Sequence, residues 1–360
     1  MASHFRALTI KDVRRETPDC VSIAFAIPQE LKEEFRFNQG QSISLKIKID
    51  GEEIRRSYSI CSSPLDDELR VAVKRIDNGK FSHYANSKIR KGMLLELLPP
   101  TGKFYTELNP ANPKNYIAFG AGSGITPLFS IIKTTLAMEQ HSQFTLFYGN
   151  RNRQSVIFKE QLEALKNRFM DRFSLHYIFS REKTDSPVNQ GRINAEKCSE
   201  LSKQLFDLKT ADEIFICGPE EMISSVKDWL EQRGLEKRKI HFELFSAPGE
   251  KWLTIPGSQP VGKAEEKISR VTIQSDGMSF DFDLAYNGES VLDAALKQGA
   301  DLPFACKSGV CCSCRARLRE GRVKMEVNYA LEPEELDAGF ILACQSHPLT
   351  ERVLVDFDGK

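Results

Sequence analysis

No charge of one sign dominates this 360-residue chain: 50 Lys and Arg balance 50 Asp and Glu. That balance gives no bulk basicity to draw nucleic acid or an anionic membrane surface. Long apolar runs are missing as well, and no stretch approaches the ~18–20 residues that a membrane-spanning helix needs. The opening Met-Ala-Ser-His-Phe-Arg passes directly into alternating apolar and polar residues, without the apolar core or cleavage site of a secretory signal. Cysteines number nine, an odd count with four of them crowded into residues 306–314, unlike a disulfide framework. Internal repeats and low-complexity segments are absent too. These absences set the expectation of a cytoplasmic protein with no membrane and no nucleic-acid partner.

What is present supports real hydrophobic cores, with 41% hydrophobic and 28% charged residues. The length suits roughly two or three domains. Residues 267–360 hold 11 Lys/Arg against 15 Asp/Glu, a balance of −4 on a body of +4. An acidic C-terminal segment on a mildly basic body hints at a docking face.

Three regions differ in pattern. Residues 1–108 carry alternating runs such as Ser42–Ile49 and Leu69–Arg75, broken by Asp50-Gly51, Ser63-Pro64 and Asn78-Gly79, which predicts a small antiparallel β-barrel. Residues 109–247 alternate short apolar strands with helical patterns (Asn115–Phe119, Pro127–Glu139, Phe144–Gly149, Ser155–Phe169, Ser174–Phe179, Ala195–Leu205, Glu213–Cys217, Glu220–Arg233, Ile240–Leu244). That order predicts a parallel, doubly wound α/β sheet. Residues 248–266 lack periodicity and are rich in Pro and Gly, the composition of a linker. Strand-like Ser269–Ile273 and Ser279–Leu284, with helix-like Ser290–Gln298, open a third domain over 267–360.

The third domain holds Cys306, Cys311 and Cys314 in one loop and Cys344 at a distance. C-x4-C-x2-C…C is the spacing by which plant-type ferredoxins ligate a [2Fe–2S] cluster. Ser308, Gly309 and Ser313 are small enough to let backbone N–H groups approach sulfur. Four thiolates also suit zinc, but zinc sites usually come as two C-x2-C pairs. Cys312 has the wrong spacing for a ligand. A one-electron cluster needs a two-electron to one-electron converter, and Arg56-Ser57-Tyr58-Ser59 suits a flavin. Arg56 can clamp a phosphate bidentately, while Tyr58 and Ser59 offer an aromatic face and a short hydroxyl. Gly79-Lys80-Phe81-Ser82 opens a short helix whose N–H groups suit further phosphate charge.

Gly120-Ala-Gly122-Ser-Gly124-Ile-Thr126-Pro127 follows a strand and opens a helix, the context of a pyrophosphate cradle. A second strand ends in Cys217-Gly218-Pro219. Arg151 and Ser180-Arg181 follow the two strands that lie between these in the chain, with no acid at 180 or 181 to repel a 2′-phosphate. NADPH is therefore favoured over NADH.

These motifs, in this order, resemble the ferredoxin–NADP reductase superfamily. The resemblance implies a flavin β-barrel, a doubly wound nucleotide domain and an α+β β-grasp ferredoxin domain. It places Cys217 beside the nicotinamide and Tyr58 and Ser59 at the flavin, the three residues of the hydride-transfer site, and it favours FAD over FMN. Leu292-Asp-Ala-Ala-Leu, Asp301-Leu-Pro-Phe-Ala and Arg315–Gly321 are similar to stretches around the plant-type ferredoxin loop. Domain order, with Gln190-Gly-Arg192-Ile-Asn, resembles oxygenase reductases, most of all those serving a phenylacetyl-CoA epoxygenase. The resemblance implies an oxygenase or hydroxylase component as electron acceptor. A Rieske-type or other hydroxylase is the alternative partner, and a zinc-stabilised flavin-binding regulatory module is the alternative of another class. The sequence nominates no proton-handling residue, and His83 is left unassigned.

Overall fold

The structure, a computed structural model, describes residues 4–245 and 267–359. The expected linker, 248–266, lies outside the described residues. The first sheet contains β1 (Arg6–Thr17), β2 (Cys20–Ala26), β3 (Ser42–Ile49), β4 (Glu52–Ser59), β5 (Leu69–Lys74) and, after helix α1 (Lys80–Ser87), β6 (Leu94–Leu97). Strand periodicity shows in β1, where Leu8 and Ile10 are buried and Thr9 is exposed. Between β3 and β4, Asp50 and Gly51 both take positive φ, 51° and 82°, the hairpin turn whose twist matches its flanking strands. Those strands pair from Ser42↔Ser59 to Ile49↔Glu52. Sheet order is β4-β3-β6-β1-β2-β5. The two end strands meet where Ile60 bridges Val71 and the Cys61 N–H donates to the Arg70 carbonyl at 2.8 Å. That contact closes the sheet into the expected barrel.

The second unit runs β7 (Asn115–Ala121), α2 (Ile125–Met138), β8 (Gln143–Asn150), α3 (Lys159–Arg168), β9 (Phe173–Phe179), α4 (Ala195–Ser202), β10 (Glu213–Cys217), α5 (Glu220–Gln232) and β11 (Ile240–Glu243). Its five strands are parallel in the order β11-β10-β7-β8-β9. Side chains of α2 and α3 share one core with Cys20, Cys61 and Phe104 of the barrel, while α4 and α5 pack on the other face. The chain leaves β7 toward β8 and later returns on its other side with β10. This reversal opens a crevice at the C-terminal ends of β7 and β10, where such sheets bind ligands. One boundary is corrected: the helix read over Ser155–Phe169 begins at Lys159, because its N-cap Phe158 takes φ 60°. A left-handed, buried Phe leaves no mark in apolar periodicity.

The third unit comprises β12 (Ile268–Ser275), β13 (Met278–Ala285), α6 (Val291–Lys297), β14 (Arg315–Glu320), β15 (Val323–Met325), α7 (Pro333–Asp337), β16 (Phe340–Leu342), β17 (Ser346–Pro348) and β18 (Arg352–Asp356). A five-stranded sheet of order β13-β12-β18-β14-β16 holds α6 by buried Val291, Leu292, Ala294 and Ala295. Strands β12 and β18 are parallel and the other pairs antiparallel, a β-grasp arrangement. The cysteine loop lies between α6 and β14. No helix among the described residues is long and apolar enough to cross a membrane.

Candidate functional site

Strand pairing brings distant residues together at the crevice. Gly120 of β7 lies opposite Cys217 of β10, and Cys217 opposite Glu243 of β11. Ser59, the last residue of β4, donates from Oγ to Glu243 Oε2 at 2.9 Å, so the barrel strand ends on the nucleotide sheet. Cys217 is fully buried, and burial first and the Glu243 carboxylate second push its thiol well up. It is a neutral wall rather than a nucleophile. Burial also raises Glu243 to about 7, against the pull of the Ser59 hydrogen bond. This carboxyl, raised by burial, is one group that sequence reasoning missed. No motif marks it; only its pairing with Cys217 does. His83 is exposed on α1.

The candidate flavin residues surround the same strand end. Tyr58 packs on Phe81 with ring centroids 5.6 Å apart. Phe81 is itself 1% exposed in the barrel core, so it supports Tyr58. Arg56 is exposed, with Nη1 donating to the Arg55 carbonyl at 2.7 Å, and exposed Lys80 pairs with Glu52. Gly79 is the N-cap of α1. The Ser82 hydroxyl donates to the Gly79 carbonyl at 3.0 Å and accepts the Ile76 N–H at 3.2 Å, which fixes that turn. Ser57 stands apart: its Oγ lies 2.9 Å from Ser44 Oγ. Lys74 was missed by the sequence, yet its Nζ lies 3.9 Å from where a Cβ on Gly122 would sit. An available guanidinium, a supported aromatic ring and a terminal hydroxyl on one strand fit a flavin.

The glycine loop is shaped by close approach. A Cβ on Gly124 would stand 2.0 Å from the Cys217 carbonyl oxygen, and one on Gly218 would stand 2.7 Å from Met222 Cε. Gly122 takes φ 55° and its carbonyl accepts the Tyr148 hydroxyl at 2.9 Å. Thr126 Oγ1 donates to the Ser123 carbonyl at 3.0 Å, and Thr126 and Pro127 are buried in the first turn of α2. The result is a glycine-lined cradle at the N-terminus of a long helix, which suits a pyrophosphate. Pro219 is the N-cap of α5. At the far end of the crevice the Ser180 and Arg181 N–H groups donate to the Asn150 and Arg151 carbonyls, each at 2.9 Å. Arg151, Ser180 and Arg181 are all exposed there. Glu182, the nearest acid in sequence, is taken by Arg153, whose N–H donates to it at 2.8 Å.

The loop cysteines and Cys344 form two pairs. Cys306 is held down chiefly by a hydrogen bond from the Cys311 thiol, whose own proton that bond and burial retain. Cys344 is likewise lowered by Cys314, with Gln345 assisting, while Cys314 is raised. The Ser308 N–H donates to Cys306 Sγ at 3.3 Å, and Gln345 Nε2 reaches Cys344 Sγ at 3.5 Å. Among the described residues no three Cys, His, Asp or Glu converge as ligands of one ion. Two adjacent thiol pairs fit a two-iron core, with two ligands per iron, better than a single tetrahedral zinc. Cys312 takes φ 54° and turns its thiol to the Ala330 carbonyl at 3.2 Å.

Comparison with known proteins agrees with this arrangement. Residues 7–105 match the oxidoreductase FAD-binding domain, 119–228 the oxidoreductase NAD-binding domain, and 273–349 the 2Fe-2S iron-sulfur cluster binding domain. The chain is 47% identical over 356 residues to one of the subunits of 1,2-phenylacetyl-CoA epoxidase from Escherichia coli (strain K12), covering 99% of this chain and 98% of that one. It is 33% identical to the ferredoxin reductase component of 3-ketosteroid-9-alpha-monooxygenase from Rhodococcus rhodochrous, covering 97% and 96%. The solved structure of phthalate dioxygenase reductase shares the fold with a TM-score of 0.56 at 21% identity, covering 98% of each chain. Flavin, nicotinamide nucleotide and [2Fe–2S] modules in one full-length match place the chain in the family of flavin- and iron–sulfur-containing reductase components of oxygenases.

Proposed function

We propose that this chain draws a hydride from NADPH and delivers its electrons singly to an oxygenase that acts on a phenylacetyl-CoA ester. A bound flavin would supply the conversion of a two-electron hydride into single electrons, and a [2Fe–2S] cluster would supply one-electron carriage. The flavin-binding barrel would span 1–108, the nucleotide domain 109–247 and the ferredoxin domain 267–360, joined by the linker 248–266.

The supporting observation is the junction of Ser59, Cys217 and Glu243 between barrel and crevice. Its chemistry suits hydride transfer. Cys217, buried and neutral, walls the pocket without reacting. Glu243 can hold a proton near neutral pH at the Ser59 hydroxyl. Arg56, Tyr58 and Ser59, with the N–H groups of Gly79–Ser82, would bind the flavin. Gly120–Pro127 and Cys217–Pro219 would seat the nicotinamide dinucleotide. Arg151, Ser180 and Arg181 would take the 2′-phosphate, a role supported by their exposure and by the engagement of Glu182 with Arg153. Cys306 and Cys311 would hold one iron and Cys314 and Cys344 the other.

The partner assignment rests on the 47% identity to the epoxidase relative. The 33% identity to a steroid monooxygenase component supports the competing reading, a Rieske-type or other hydroxylase. Reconstitution with each purified oxygenase, scored as product per NADPH consumed, separates them. Coupled turnover of phenylacetyl-CoA is the expected result, and coupling only with a hydroxylase overturns the partner assignment.

A further inference from the structure

Strand β4 has two working faces. By strand alternation Arg56 and Tyr58 point one way, Arg55 and Ser57 the other. The first pair belongs to the candidate flavin site; the second meets the iron–sulfur module. Arg55 is only 9% exposed, a burial that arginine rarely accepts without partners. Its guanidinium stacks 3.9 Å from the Phe304 ring centroid. Its Nη1 donates to the Leu302 carbonyl at 3.2 Å, and its Nε to Glu53 Oε1 at 2.8 Å. Leu302 and Phe304 lead directly into Cys306, so Arg55 grips the entry to the cysteine loop.

The exit of the loop is gripped by hydroxyls. Ser57 Oγ lies 2.9 Å from Ser44 Oγ, and Ser44 Oγ lies 2.7 Å from Ser313 Oγ. Ser44 and Ser313 are both buried, and Ser313 immediately precedes Cys314. A chain of three hydroxyls thus runs from the flavin-binding strand to the exit of the cysteine loop. Lys103, beyond the barrel strands, adds an ion pair to Glu335 at 3.0 Å. Short hydroxyls, one stacked arginine and an edge ion pair make a polar contact, the type that marks separable rather than permanent interfaces.

We propose that Arg55 and Ser44 form the docking face on which the iron–sulfur module seats to receive electrons from the flavin. The inference rests on the proposed ligation of the cluster by the loop that holds Cys306, Cys311 and Cys314. Overall balance is one hydride in, two electrons out to two one-electron acceptor equivalents, and one proton to solvent. Arginine is required at 55 because its planar cation stacks and donates at once, which lysine does not reproduce. Arg55 and Ser44 are positioning residues: neither belongs to the flavin, nucleotide or cluster ligand sets.

The test uses the full-length holoprotein, anaerobic rapid mixing with NADPH, and separate absorption signals for flavin and cluster. In Arg55→Ala and Arg55→Lys, flavin reduction should keep its rate while cluster reduction slows by about tenfold or more, and Ser44→Ala should slow it by about threefold or more. Amide hydrogen exchange over residues 302–314 should rise in Arg55→Ala, a change that needs no turnover. The cluster potential should stay unchanged in Arg55→Ala. Glu335→Gln, on the other side of the contact, should slow cluster reduction more at low salt than at high, and it serves if an Arg55 variant misfolds. Unchanged cluster reduction in a folded Arg55 variant, or in Glu335→Gln where it stands in, overturns the docking face. A wild-type protein without flavin and cluster absorption overturns instead the reading on which it rests.

Discussion

Ser59 Oγ donates to Glu243 Oε2 at 2.9 Å across 184 residues of sequence. This bond joins the end of a barrel strand to the end of the last nucleotide-sheet strand, beside Cys217. It places a hydroxyl, a buried thiol and a carboxyl raised to about 7 at the mouth of one crevice.

Glu243 gives a pH prediction with a definite sign. Its native value lies above the ordinary 4.5, so the fold favours the protonated form. The corresponding stability is fully present below pH 4.5 and is lost as pH rises through about 7. Glu243→Gln keeps a neutral acceptor for Ser59 and removes the titration. The melting temperature of the variant relative to wild type should therefore climb between pH 4.5 and 7. Any step near pH 7 in the rate of flavin reduction by NADPH should disappear with it.

Gly124→Ala tests the cradle. The added methyl meets the Cys217 carbonyl at 2.0 Å, a backbone atom that cannot rotate away. Overpacking of this kind costs about 1–3 kcal/mol. Denaturant unfolding should show that loss, and flavin reduction by NADPH should fall even under conditions where the variant is fully folded.

Arg181→Ala addresses nucleotide choice. A charge-assisted hydrogen bond contributes about 1.5–3 kcal/mol, which corresponds to roughly 10–100-fold in affinity. KM for NADPH should rise within that range while KM for NADH stays nearly constant. Equal changes for both nucleotides would remove Arg181 from the 2′-phosphate site.

Cys344→Ser separates the two redox groups. Reduction of cytochrome c by NADPH should be lost, because one thiol of the Cys314–Cys344 pair is gone. Flavin reduction by NADPH should persist. Parallel loss of both activities would place the cluster elsewhere than downstream of the flavin.

Much of the candidate site is legible in the chain because its motifs are local in sequence. The cysteine loop, Arg56–Ser59 and Gly120–Pro127 each fall within about ten consecutive residues, so spacing alone carries their geometry. Glu243 and Arg55 escaped for the opposite reason. Glu243 acquires its position only when β11 pairs with β10, and Arg55 only when a loop 247 residues away folds against β4. In the nucleotide unit, strand and helix order followed from periodicity, whereas the start of α3 did not. A buried Phe158 at φ 60° is set by packing against Phe129, ring centroids 4.7 Å apart. No local propensity specifies it.

The most direct test of the electron path is anaerobic addition of NADPH to the purified holoprotein, followed by absorption and electron paramagnetic resonance. The account predicts a flavin that bleaches and a reduced [2Fe–2S] signal that follows it, with the signal absent and the bleaching retained in Cys344→Ser. A flavin that bleaches while the wild-type cluster stays oxidised, or a protein that binds neither group, would contradict it.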